Sequence, residues 1–101
     1  MSTISKQAVL DLAIAAVADR GLNYGKPEDN FARIAVRWRA HIKNRFNIDL
    51  TGLDGVSVAI MCADLKLARL ENSPSHLDSW VDLSGYAACG ANIACDDPAV
   101  K

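Results

Sequence analysis

Asp78 and Asp82 stand four residues apart, a spacing that on a helix projects both carboxylates from one face, about 40° apart in projection. Two carboxylates that close repel each other and call for a cation, either Lys/Arg or a divalent metal with oxygen ligands such as Mg²⁺. Lys66 and Arg69, three residues apart on the preceding segment, supply the basic partner. Gly85 and Cys89 continue the acidic stripe, so a helix or a ligand can approach the backbone beyond the acids. A second group lies in Tyr24-Gly25-Lys26-Pro27-Glu28-Asp29-Asn30-Phe31. Tyr24 offers a stacking ring, Gly25 a close backbone approach, and Asn30 both a donor and an acceptor.

These residues support two readings. In one, Lys66 and Arg69 pair with Asp78 and Asp82 and fix the register of two helices, with no ligand involved. In the other they form a site for a phosphorylated ligand: Lys66 and Arg69 engage phosphate, Tyr24 and Asn30 hold the rest of the molecule, and Asp78, Asp82 and Glu28 hold Mg²⁺. Catalytic residues are left unassigned, because no Walker-type or G-x-G-x-x-G loop is present and spacing alone assigns no Ser-His-Asp triad. A third feature is basic. Arg33, Arg37, Arg39, Lys43 and Arg45 occupy the stretch from Asn30 to Ile48 with no acid among them. Arg33 and Arg37, on the side away from the apolar stripe, form a solvated face or one that meets an RNA or DNA backbone or a partner's acidic surface.

Four helices must position these groups. Ile4, Ala8, Leu12, Ala15 and Ala16 recur at helical spacing behind a Thr3/Ser5 cap, which predicts a helix over about 4–20 stopped by Gly21. Pro27, followed by Glu28 and Asp29, opens a second helix over about 27–46. There Phe31, Ile34, Ala35, Trp38, Ile42 and Phe46 form the apolar stripe. Thr51 with Asp54 three residues on resembles a capping box and predicts a third helix over about 52–71. Its apolar residues cover two flanks, which makes it central. Ser75 with Asp78 repeats the cap pattern after Asn72-Ser73-Pro74 and starts a fourth helix over about 75–95. No period-two alternation or hairpin turn signal appears. The expected architecture is all-α, a compact bundle of four main helices in a single domain over residues 1–101, with 95–101 a frayed tail.

Composition narrows the class. The 101 residues are 50% hydrophobic and 23% charged, which fits one globular domain and excludes a disordered or low-complexity chain. Eleven Lys+Arg against twelve Asp+Glu give a formal charge of -1, which argues against nucleic acid as the main partner. The N-terminus has no secretory pattern and no segment approaches a membrane span, so a cytoplasmic location and no membrane partner are expected. Cys62, Cys89 and Cys95 lack paired spacing and read as buried free thiols. A short chain with a helix apolar on two sides is expected to form a homo-oligomer.

With Tyr24-Gly25-x-Pro27-x-x-Asn30-Phe31, Lys66-x-x-Arg69 and Asp78-x-Trp80-x-Asp82-x-x-Gly85-Tyr86 in order, the chain resembles a family of small phage and prophage proteins of unassigned function. The match covers roughly residues 18 to 93. More distantly it is similar to the MazG-like all-α nucleoside triphosphate pyrophosphohydrolases, whose paired helical acids bind Mg²⁺ for cleavage between the α and β phosphates. Asp78 and Asp82 look like half of that arrangement, and Glu28 and Asp29 stand alone where the enzymes carry an E-x-x-E pair. The resemblance therefore implies a phage-type protein that binds a nucleotide or phosphorylated ligand, either hydrolysing it with an incomplete acidic motif or sequestering it. The alternative is a non-enzymatic viral interaction or inhibitor protein acting on a host protein or nucleic-acid complex.

Overall fold

The computed structural model describes residues 3–95, and these form four α-helices and no strand. Helix α1 spans Lys6–Tyr24, α2 Pro27–Phe46, α3 Gly55–Asn72 and α4 Leu77–Ala94. Side by side they run α2, α3, α4, α1, with α3 against α4 the most extensive pairing and α1 resting mainly on α4. The start of α2 returns to touch α1. No helix among the described residues is long and apolar enough to cross a membrane.

The expected elements are present, with shifted ends. Helix α1 does start behind Ser5, whose hydroxyl accepts from the Ala8 amide at 3.0 Å. It does not stop at Gly21. A glycine inside a helix costs only about 1 kcal/mol relative to alanine, and the turn continues to Tyr24. The chain leaves the helix at Gly25, where φ is 81°, a conformation glycine adopts without steric cost. Lys26 is then held extended, as the residue before a proline must be. The cap of α3 is Asp54 and not Thr51: its carboxylate accepts from the Ser57 amide at 3.0 Å, so the helix begins at Gly55. His76, not Ser75, precedes α4, and its Nδ1 lies 2.8 Å from the hydroxyl of the buried Ser79. Residues 96–101, most of the expected frayed tail, lie outside the described residues.

The core joins α2, α3 and α4. Phe31, Ala35, Val58 and Ala59 are buried together, and Ile34, Trp38, Leu53, Tyr86 and Ile93 pack around them. Phe46, expected in the same stripe, is 60% exposed at the last position of α2. Helix α3 does lie between α2 and α4, yet Ile60, Met61, Leu65 and Leu67 of its apolar flanks remain exposed. Helix α1 buries a single residue, Ala13. Cys62 and Cys89 are half-buried free thiols, as the pattern suggested, but Cys95 is exposed at the end of α4.

Candidate functional site

Four helices meet at a cavity of about 260 Å³. Helix α1 contributes Val17, Arg20 and Tyr24, one helical stripe at three- and four-residue spacing. The tight Gly25 turn then brings Pro27, Asn30, Phe31 and Ile34 of α2 to the opposite wall, α3 adds Cys62 and Lys66, and α4 adds Asp82, Gly85, Tyr86 and Cys89. The three ordered motifs of the sequence, 24–31, 66–69 and 78–86, thus converge on one hollow.

Asp82 is its electrostatic centre. Arg20 Nη2 lies 2.6 Å from Oδ1 and Lys66 Nζ 3.1 Å from Oδ2, so each carboxylate oxygen carries its own cation. Burial alone would push the Asp82 carboxyl up, but the hydrogen bonds from Arg20 and Lys66 outweigh it and hold the group below the ordinary carboxylate range. The same bond to Asp82 raises Arg20. Two cations around one carboxylate leave a formal surplus of one positive charge facing the cavity.

Aromatic surface surrounds that charge. The Arg20 guanidinium lies 6.0 Å from the Tyr86 ring centroid, within cation–π range, and Phe31 tilts against Tyr86 at 6.2 Å between centroids. Burial pushes the Tyr86 phenol up. Tyr24, 65% exposed at the mouth, presents a free ring face to anything that enters. Burial also raises the Cys62 and Cys89 thiols, which keeps them protonated and poorly nucleophilic.

Of the residues singled out in the sequence, Tyr24, Asn30, Lys66 and Asp82 come together here. Arg69 does not: it is exposed one turn further along α3. Asp78 lines a neighbouring shallow groove with Leu12, Ala16, Arg20, Val81 and Asp82. The two acids therefore do share a face, but only Asp82 reaches the cavity. Glu28 is exposed near the start of α2 and lies outside the cavity lining. Among the described residues no three acids, histidines or cysteines gather as a metal-binding group, and both oxygens of Asp82 already face cations. This donor set does not fit Mg²⁺. Arg33, Arg37 and His41 are all exposed along the outer side of α2.

Arg20 was missed in the sequence because ending the first helix at Gly21 makes it a terminal residue. Its signal was the spacing to Tyr24: four residues apart on a helix that continues, the two must share a face.

A family model described as "Domain of unknown function (DUF6378)" matches residues 8–94. The chain is 31% identical over 75 residues to the Gene 55 protein of Mycobacterium phage D29, covering 74% of this chain and 45% of that protein. It is 37% identical over 68 residues to the Gene 55 protein of Mycobacterium phage L5, covering 67% and 40%. The chain thus spans less than half the length of these curated relatives. No solved structure matches it.

Proposed function

The chain belongs to the DUF6378 family, and we propose that this member, with phage proteins among its relatives, binds a nucleotide or similar phosphorylated ligand in the four-helix cavity and holds it without cleaving it. One observation carries the reading: Arg20 and Lys66 converge on a single carboxylate inside a hollow flanked by Tyr24 and Tyr86. A phosphate entering there gains the surplus charge of the two cations. The planar guanidinium gives paired donors, the ammonium a point charge. Tyr24 stacks on a base or sugar, and the Asn30 amide reads a polar edge. The cavity lies just under the roughly 300–1,000 Å³ usual for drug-sized ligands, so it takes the phosphate end of a mononucleotide with the remainder at the open mouth.

Sequestration is preferred over MazG-like Mg²⁺-dependent pyrophosphohydrolysis because Asp82 is committed to Arg20 and Lys66, whereas a metal-held attacking water needs carboxylates free to coordinate. In this reading the protein acts in the cytoplasm of the bacterial host, on its nucleotide pool.

Thermal unfolding against nucleoside mono-, di- and triphosphates and inorganic phosphate, each with and without EDTA, tests the proposal. A ligand at one hundred times its Kd adds about 2.7 kcal/mol to the folded state, a rise of many degrees for a domain this small. The rise is expected to persist in EDTA and to be lost in Lys66→Ala and reduced in Tyr24→Ala, the latter without change in the unliganded midpoint. No rise with any phosphate overturns the reading, and release of pyrophosphate would replace it with hydrolysis.

A second reading rests on the exposed Arg33, Arg37 and His41 side of α2: an inhibitor that covers an acidic surface of a host protein or nucleic-acid complex. Arg33→Glu with Arg37→Glu would then abolish capture of that partner and leave every nucleotide-induced shift intact.

A further inference from the structure

A second concavity, about 580 Å³ and larger than the motif-lined one, is a groove between α1 and α4. Leu10, Ala13, Ile14, Val17 and Ala18 form one bank, Ser84, Gly85 and Ala88 the other, and no charged side chain lines it. Along α1 the positions Gln7, Leu10, Ile14, Ala18 and Gly21 make a single helical stripe. Leu10 is 53% and Ile14 67% exposed on it. In water that stripe is unfavourable, and contiguous apolar patches of this kind on monomers are small or mark interaction sites.

We propose that the occupant of the groove is α1 of a second copy of this chain, in a two-fold symmetric homodimer. The stripe is self-complementary, as an isologous interface requires. With two α1 helices crossing antiparallel at Ile14, Leu10 of one copy falls opposite Ala18 of the partner subunit, and Gln7 opposite Gly21 of the partner subunit. Large residues then meet small ones on both sides of the axis. The Gln7 amide is already turned aside, donating to Asp11 at 2.9 Å.

The exposed area supports the same conclusion. The chain presents 7374 Å², whereas a monomer of 10.9 kDa exposes about 5,600 Å². With an upper allowance of roughly 160 Å² for each residue outside 3–95, a surplus of about 850 Å² remains over a monomer of the described size. A standard interface removes about 800 Å² per partner.

The dimer would also bear on the motif-lined cavity, since Val17 and Gly85 line both hollows. A Cβ built on Gly85 would lie 3.4 Å from the Val17 side chain, so this shared wall is thin. The second copy would press on its outer side.

Sedimentation equilibrium and light scattering on the full chain, up to a millimolar, test the proposal independently of any ligand. The expected mass is twice 10.9 kDa, falling to the single value in Ile14→Glu with the helical circular dichroism unchanged, because Ile14 is mostly exposed within the protomer. Leu65→Glu, on the exposed flank of α3, should remain dimeric. A monomeric wild-type chain, an Ile14→Glu variant that stays dimeric, or dissociation by Leu65→Glu alone would each overturn the assignment.

Discussion

Helix α1 and the α2–α3–α4 unit are built on different terms. The three-helix unit holds Phe31, Ala35, Val58 and Ala59 out of water together, so its stability comes from shared apolar burial. Helix α1 buries only Ala13. What ties it down is a thin seam of Val9, Ala16 and Val17, each half-buried, and the Arg20–Asp82 ion pair. Yet α1 carries Arg20 and Tyr24 to the cavity. The candidate site is assembled by docking the least anchored helix onto the best anchored ones, and low local stability next to a binding site is common where ligands regulate order.

Core and seam should fail differently. Phe31→Ala removes the largest side chain of the buried cluster and should cost about 3–4 kcal/mol, lowering denaturant stability globally and opening every helix together in hydrogen exchange. If only α1 opens, Phe31 does not hold the three-helix unit together. Asp82→Asn should cost about 2 kcal/mol, because it leaves Arg20 and Lys66 without their counterion while Arg20 retains access to water. Its effect should concentrate in α1, with exchange there rising well before that of α3.

Acid offers a reversible version of that substitution. The Asp82 carboxyl is held below its ordinary value of 3.8 in the folded protein. Its stabilising contribution is therefore complete above that value and is lost as the pH falls through the lower folded one. On titration below about pH 4, protection of α1 should fall ahead of the three-helix unit, and Asp82→Asn should remove this pH dependence. The smallest change expected runs the other way. Gly21 has open space where a Cβ would stand and sits inside a helix, so Gly21→Ala should stabilise α1 by about 0.5–1 kcal/mol, seen as slower exchange confined to that helix.

The α2 and α4 stripes were readable from periodicity because each has one buried side facing a continuous core. Asp82, Gly85 and Cys89 indeed line one face, and Lys66 does reach Asp82. Three things were hidden. The end of α1 depends on a choice between two glycines, Gly21 and Gly25, and is decided by Pro27, which forces Lys26 extended and makes Gly25 the natural exit. The Arg20–Asp82 pair joins residues 62 positions apart, and no local pattern encodes such a distance. Arg69 and Asp78 had the right residue types but stand one turn beyond the cavity along their helices, a displacement that only packing settles.

Gly25 and Lys26 are the whole connection between α1 and α2, and this has a consequence for the order of assembly. Arg20, Tyr24, Pro27 and Asn30 are kept close by a turn two residues long, at almost no loop-closure entropy, so this half of the pocket is local in the chain. The other half, Lys66 with Asp82 and Tyr86, must await the α3–α4 hairpin and the long-range closure that slows folding. The cavity is therefore expected to be completed late in folding, when the hairpin and the α1–α2 elbow clasp around Asp82.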